Sequence, residues 1–297
     1  MMASHRRLEM IHGLLFALSN RIPLKDALAD YPVPRALKQR LVHSLDTGMG
    51  LAQALDEAGF SGAAAQSLSL GESLGAMHEA LAIQKTLDGM RARIRLCAQQ
   101  PLVYPCIIVT LSLAVCIFFH AIGLLQGYAE AMGLAGLALL LLVLQGAVLL
   151  PERMAARVYV LRSMHRRMEL YAFYAYMEMC TRGGMDETTA LRRIMECFDF
   201  KLIFKGEPLR RLESGVPFAR VLKEISHLRG SGGSTPNPYR LQDDLALLKR
   251  ETQDAFEERA TSLQLVLHPV GLLISGSALF LLALRIFAAL YGGNPSW

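Results

Sequence analysis

The chain carries the same short pattern twice, and the second copy begins 167 positions after the first (45 to 212). Residues 45–55 and 212–222 share the order Leu, acidic, hydroxyl, Gly, two variable positions, apolar, Ala, two variable positions and Leu. Gly48 and Gly215 occupy the same place in the two copies. Each copy lies in a charged block, and a long charge-free apolar run follows each block. An internal repeat predicts a repeated structural unit, so it limits the possible folds more than any other feature.

Three windows contain no Asp, Glu, Lys or Arg: residues 96–129, 131–150 and 260–284. They raise the apolar fraction of the 297-residue chain to 53% and its mean hydropathy to +0.30, which is high for a soluble protein. The hydrocarbon core of a bilayer requires about 20 apolar residues in a helix, and each window has that length. The windows therefore predict three transmembrane helices. The alternative is a buried helix of a soluble protein, which rarely continues so far without a charge.

Apolar residues in both charged blocks recur at helical spacing between Pro and Gly breaks, and no alternating strand pattern competes. The sequence therefore predicts an all-α integral membrane protein with two repeated cytoplasmic helical bundles. The predicted segments are a first cytoplasmic domain at 1–100, a hairpin at 101–150 with spans at about 102–125 and 134–150, a second cytoplasmic domain at 151–262, and a third span with a short external tail at 263–297.

Lys and Arg lie next to those ends of the apolar windows that would face one side of a membrane. Arg93 and Arg95 precede the first span and Lys249 and Arg250 precede the third, whereas the hairpin turn and the tail 286–297 have neither. Because positive residues concentrate on the cytoplasmic side of a membrane, we expect both blocks and the N-terminus to be cytoplasmic and the C-terminus to be outside. The net charge of +5 comes mostly from this bias. Nucleic-acid binding is the less favoured interpretation.

The two copies differ in two places. Residues 71–75, Gly-Glu-Ser-Leu-Gly, have no counterpart in the second copy, where a flexible loop rich in Gly, Ser and Pro is predicted at 229–240. Residues 20–28 align with 183–191, so Arg21 stands where the second copy has Gly184. The copies are therefore not interchangeable.

Residues 71–75 also match the G-x-S-x-G pattern of a hydrolase nucleophile elbow. That pattern requires a strand before the turn, and helices are predicted on both sides here. The favoured interpretation is a helix–helix turn in which Gly71 and Gly75 permit close approach, with a weak Ser69–Glu72 capping box.

Asp186 and Glu187 are expected to cap the helix after Gly184. No nucleotide-binding fingerprint or metal-ligand cysteine spacing occurs, so we expect no enzymatic activity, no cofactor and no metal.

A transporter or channel subunit is the alternative function. It would require several ionisable groups within the membrane. His120 and Arg285 are the candidates, and both are expected near the outer ends of their spans.

The span starts carry matching pairs, Tyr104-Pro105 and His268-Pro269. Proline costs little in the first turn of a helix, so each Pro is predicted to lie there.

Taken together, these residues resemble the F-protein family of type II secretion systems and the PilC-like platform of type IV pili. The matching elements are residues 23–28, Gly48 with Leu51 and Leu55, residues 71–75 and Tyr104-Pro105. A weaker second set comprises residues 184–191, 215–222 and His268-Pro269. The departures are a shorter chain, Arg21 where the family usually has Gly, and the missing second Gly-Glu motif. The resemblance covers nearly the whole chain.

The resemblance implies a non-enzymatic platform in the bacterial inner membrane, with a periplasmic C-terminus. Such a platform couples a cytoplasmic assembly ATPase to the extraction and polymerisation of pilin or pseudopilin transmembrane helices. Other inner-membrane assembly proteins are implied as partners, and so is a homo-oligomer. The candidate motif or interface residues are Gly48, Gly71, Glu72, Gly75, Tyr104, Pro105, Gly215 and Pro269.

Overall fold

The computed structural model describes residues 2–23, 26, 35–57, 62–121, 136, 139–140, 143, 159–198, 200, 202–203, 208–216, 218, 220–221 and 241–291. Its helices, in chain order, are α1 Met2–Ser19, α2 Arg35–Asp46, α3 Leu51–Glu57, α4 Gly62–Ser73, α5 Met77–Ala121, α6 Tyr159–Arg182, α7 Glu187–Cys197, α8 Pro208–Glu213 and α9 Leu241–Tyr291. The predicted hairpin turn, most of the second span and the loop at 229–240 lie outside the described residues.

The all-α prediction is confirmed, because every regular element in the described part of the chain is a helix. Among these described helices, none is both long enough and apolar enough to cross a membrane. The predicted segment boundaries stay predictions.

The repeated pattern forms the same turn in both copies. After α2, Met49 N–H donates to the Ser44 carbonyl and Gly48 N–H donates to the Leu45 carbonyl. After α8, Val216 and Gly215 make the equivalent bonds to Arg211 and Leu212. This pair of bonds defines a Schellman cap, whose penultimate residue is left-handed. Gly48 has φ +80° and Gly215 has φ +86°, so glycine is favoured at both positions.

The hydroxyl residue of the pattern has the same role in each copy. Thr47 Oγ1 donates to the Ser44 carbonyl at 2.8 Å, and Ser214 Oγ donates to the Arg211 carbonyl at 2.7 Å. Each hydroxyl adds a second hydrogen bond to the carbonyl that also accepts the Met49 or Val216 backbone N–H. The repeated pattern therefore specifies the same helix C-terminus in both copies, including its side-chain hydrogen bond.

The same cap recurs where α1 and α6 end. Ile22 and Arg21 donate to the Ala17 and Leu18 carbonyls, in the pattern that Met185 and Gly184 repeat with Cys180 and Thr181. Gly184 has φ +83°, whereas Arg21 has φ +55° and is the only described non-glycine residue with positive φ. The first copy therefore holds a long side chain in a conformation that costs an L-residue about 1–2 kcal/mol.

Helix α6 is the core of the first of two compact units, which comprises residues 1–92 and 163–256. Every residue from 170 to 180 is buried, so α6 has no exposed face over three turns. Phe173, Tyr174 and Tyr176 are at most 1% exposed, and the Tyr176 ring stacks on Phe198 with 4.3 Å between centroids. A helix that is apolar all round is stable only when other helices surround it.

Both copies contribute to this unit. Helix α4 of the first copy packs against α7 of the second. A Cβ added to Gly183, in the turn after α6, would lie 3.0 Å from Leu74 Cδ2 in the turn after α4. The duplicated halves therefore share one apolar core.

The second unit comprises residues 93–162 and 257–297. Within it, Arg93 Nε lies 3.8 Å from Glu257 Oε2, Cys97 Sγ donates to the Ala260 carbonyl at 3.7 Å, and Gln264 Nε2 donates to Gln100 Oε1 at 3.1 Å. Residue numbers rise together along both helices in these contacts. The part of α5 after Ala92 and the part of α9 after Phe256 therefore run parallel.

The placement of the prolines corrects a sequence prediction. Pro105 and Pro269 were expected in the first turn of new helices, but α5 and α9 continue through them over 45 and 51 residues. A proline removes one N–H and strains one turn without necessarily ending a helix. The charged helices before the first and third apolar windows thus continue directly into them.

The left-handed backbone at Arg21 predicts that Arg21→Gly stabilises the protein by about 1 kcal/mol, because glycine adopts this conformation without strain. The reverse change in the other copy, Gly184→Arg, should destabilise by a similar amount, since nothing lies within 4 Å of a Cβ there and only backbone strain is added. Thermal unfolding of the purified full chain measures both changes. Midpoints that move in the same direction would contradict this account.

Candidate functional site

Glu72 links two of the motifs found in the sequence. It lies in the last turn of α4, and its Oε1 accepts a hydrogen bond from the Leu51 backbone N–H at 3.2 Å. Leu51 is the first residue of α3, where backbone donors have no intrahelical partner. A carboxylate there also faces the positive end of the helix dipole. Glu72 therefore caps α3, which follows the repeated turn at Gly48.

Gly50 is required by the position of this carboxylate. A Cβ at residue 50 would lie 2.8 Å from each Glu72 oxygen, closer than any ordinary contact. The counterpart of Gly50 in the second copy is Pro217, and that copy also lacks the Gly-Glu-x-x-Gly motif. The glycine and the carboxylate that requires it thus occur together in the first copy and are both missing from the second.

The two glycines of the motif have different roles. Gly71 permits close approach of α4 and α5, because a Cβ there would collide with the Ala80 side chain and lie 3.2 Å from the Ala76 carbonyl oxygen. Gly75 instead forms a Schellman cap with φ +67° and has open space around its α-carbon. The expected helix–helix turn is present, but close approach applies to Gly71 alone.

Two polar residues near the turn also differ from expectation. The predicted Ser69–Glu72 capping box is wrong, because Ser69 lies inside α4 and Glu72 caps α3. Ser73 Oγ donates to the Leu70 carbonyl at 2.8 Å. That bond satisfies a carbonyl at the end of α4, which is a structural role.

We call this arrangement the Glu72 turn: Gly50, Leu51, Gly71, Glu72 and Gly75. Elements of both copies adjoin it. Leu74, within the turn, faces Gly183 of the second copy, and His78 Nε2 lies 3.1 Å from Ser19 Oγ at the end of α1. Within the first unit, the Glu72 turn therefore lies next to elements of both copies.

The other predicted site residues lie elsewhere. Tyr104 is 53% exposed on α5, next to the buried Pro105, and Pro269 is exposed on α9. These three belong to the second unit. Gly215 forms the turn of the second copy that corresponds to Gly48. The side chains of His120 and Arg285 lie outside what the structure describes.

A buried carboxylate on α6, that of Glu178, was not among the site residues predicted from the sequence. The Glu178 side chain is 4% exposed and pairs with Arg182 at 2.6 Å and with Lys249 of α9 at 2.5 Å. A signal was present, because Glu178 is the single charged residue between positions 170 and 180. Its partner Lys249 is 71 positions away and was not predictable from sequence.

A second polar group in the core involves Asp88 of α5. Its Oδ1 accepts hydrogen bonds from Arg91 at 2.7 Å and from Gln84 at 3.3 Å, and Gln84 is 1% exposed. Nearby, burial raises the pKa of Tyr176 far above its usual value, with partial offset from the neighbouring Ser67 hydroxyl. Tyr176 is therefore a neutral packing residue at physiological pH.

The remaining titratable groups of this region fit structural roles. Asp186 is the N-cap of α7, as expected, and its carboxylate accepts the Thr189 backbone N–H at 3.0 Å. Hydrogen bonds from Thr189 lower the pKa of Asp186, whereas burial and then the Asp186 charge raise that of Glu187. Burial raises the pKa of the Cys180 thiol to about 12, so it stays protonated and unreactive.

Across the described residues, no three His, Cys, Asp or Glu side chains form a metal-ligand group. No family model matches the chain, and no curated protein or solved structure does either. The resemblance to the secretion and pilus platform family therefore rests on the sequence elements quoted above.

The Glu72 turn predicts a non-additive pair of substitutions. Gly50→Ala should destabilise by about 1–3 kcal/mol, because its Cβ meets the carboxylate. In a Glu72→Ala background the same change should cost much less, because the carboxylate is gone. Gly89→Ala, in α5 with nothing within 4 Å, is the control and should be neutral or stabilising. Equal costs of Gly50→Ala in both backgrounds, measured by thermal unfolding, would show that the two residues are not in contact.

The Asp186 cap predicts a pH-dependent effect. Because the folded-state pKa of Asp186 is lowered, its contribution is present above the unfolded value of about 3.9 and is lost as the pH falls through the folded value. The melting temperature of Asp186→Ala should therefore lie below that of the wild type at pH 7, and the gap should narrow toward pH 3. Asp186→Asn keeps an acceptor and is the control. A gap that is constant with pH would exclude a role for the charge.

Proposed function

We propose that this chain is an inner-membrane platform of a type IV pilus or type II secretion machine. It couples a cytoplasmic assembly ATPase to the extraction and polymerisation of pilin or pseudopilin helices. In this proposal residues 1–100 and 151–262 form the cytoplasmic domains, residues 101–150 form the membrane hairpin, and residues 263–297 form the third span and its external tail. It acts without catalytic chemistry of its own.

The parallel pairing of α5 and α9 carries this proposal. Both helices contain residues of the first unit and continue, without a break, into the apolar windows. A platform whose first and third spans both leave the cytoplasm requires these two helices to run in the same direction. The ascending contacts at 93/257, 97/260 and 100/264 agree with that requirement.

The surface of the second unit supports a membrane location. Large apolar side chains are exposed along α5 and α9, and a water-soluble protein rarely exposes so many together. They include Ile107, Leu111 and Phe118 on α5 and Leu265, Leu273, Phe280 and Phe287 on α9.

The hydroxyl groups of two exposed residues in this unit, Thr110 and Ser277, make hydrogen bonds within their own helices. Thr110 Oγ1 and Ser277 Oγ donate to the carbonyls of Cys106 and Leu273, four residues earlier. Polar side chains in hydrocarbon require such partners. Small residues such as Gly276, with open space around its α-carbon, also permit another helix to approach closely. A pilin helix or a second copy of the chain is the proposed neighbour.

Deletion of the gene in its own organism tests the proposal. Surface pili or secreted substrate should be lost, and pilin should accumulate in the inner membrane. A plasmid copy carrying Ser73→Ala should restore assembly as well as the wild type does, because Ser73 has a structural role in the turn. Normal assembly in the deletion strain would overturn the proposal. Loss of solute flux with normal assembly would favour a transporter instead.

A further inference from the structure

Lys249 occupies an unexpected position in α9. It follows Leu245 and precedes Thr252 and Phe256 at intervals of four, three and four residues, which places all four on one face of the helix. Leu245 and Phe256 are 0% exposed and Thr252 is 8% exposed, so this is the face of α9 that is buried in the first unit. The lysine thus interrupts a buried stripe in which an apolar residue would pack more favourably.

In the described part of the chain, Lys249 forms an ion pair with Glu178. Its ammonium donates to Glu178 Oε2 at 2.5 Å, and the lysine side chain is 31% exposed. A slip of α9 by one turn would bring Leu245 or Thr252 opposite Glu178. The carboxylate would then lose its partner from α9, and the lysine charge would lie in an apolar contact. A buried polar pair of this kind is well suited to fix the register of two helices.

Arg182 makes this selection specific to α9. It binds the other Glu178 oxygen from one turn further along α6, and its own side chain is 51% exposed. This contact lies within α6 and does not depend on the position of α9. Arg182 therefore keeps Glu178 paired whether or not α9 is in register, whereas the Lys249 contact depends on where α9 lies.

We propose that the Glu178–Lys249 pair sets the register of α9 on α6 and transmits the motor's action to the third span. The second half of this statement rests on the proposed function. Helix α9 runs from Leu241 to Tyr291, so the contact with α6 and the third apolar window belong to one helix. A second polar contact, from Gln242 Nε2 to the Thr181 carbonyl at 3.5 Å, lies at the same end of α6.

The test compares three variants of the full chain. Lys249→Met keeps the apolar stem and removes the charge. The double variant Glu178→Leu/Lys249→Leu replaces the pair by apolar residues, a change that generally preserves stability. Arg192→Met is the matched control, because Arg192 pairs with Glu213 at 3.1 Å while both side chains are about half exposed. Exposed pairs of that kind contribute little.

Register is measured by a photo-crosslinking amino acid at position 242, with the products mapped by mass spectrometry. In the wild type and in Arg192→Met, crosslinks should fall on the end of α6 around Thr181. In the double variant they should spread to neighbouring turns, although the melting temperature is retained. In Lys249→Met, hydrogen exchange of residues 241–256 should also rise about tenfold or more, since a buried charge loses a partner.

Pilus assembly or secretion by the same strains is the second readout. It should fall in the double variant and stay normal in Arg192→Met. An unchanged crosslink map in the double variant would overturn the register proposal. Crosslinks that spread to neighbouring turns of α6, together with normal assembly, would overturn the proposal that the pair transmits the motor's action. The crosslink map does not depend on any pilus, so failure of the proposed function leaves the register result interpretable.

Discussion

The first unit depends on the complete burial of helix α6. Over residues 170–180 this helix has no face toward water, and it combines large aromatic rings with one carboxylate. Burial of each large apolar side chain contributes about 1.5–3 kcal/mol, but only if helices of both copies close around it. Its polar groups need partners from the surroundings as well. The Lys249 contact meets part of that need and brings α9 against α6.

The two copies share the same backbone turn and differ in the side-chain contacts that stabilise it. The Schellman caps at Gly48 and Gly215 are the same turn with the same hydroxyl bond, because glycine adopts the left-handed backbone of such a cap without strain. Only the first copy adds the Glu72 carboxylate, which caps α3 and excludes any side chain at Gly50. The second copy instead holds α9 through Glu178. Duplication has thus conserved the turn and allowed the long-range contacts to diverge.

Features that depend on neighbours in the sequence were predictable. The helical class, the helix ending at each repeated glycine and the Asp186 cap all follow from local spacing and backbone chemistry. The predictions for Ser69 and the two prolines were wrong, because packing decides whether a turn ends a helix and which helix a carboxylate caps. Glu72 binds an amide 21 positions away, and Glu178 binds a lysine 71 positions away. No local pattern specifies such partners.

The proposed function requires that the repeated domains are cytoplasmic and that α5 and α9 enter the membrane in the same direction. Labelling of introduced cysteines with a membrane-impermeant maleimide in intact spheroplasts tests this most directly. Ser296→Cys, in the C-terminal tail, should be labelled in intact cells, and Gln53→Cys, on the exposed side of α3, only after lysis. The unmodified chain gives the background of the five native thiols. Labelling of both positions only after lysis, or of both before it, would contradict the account.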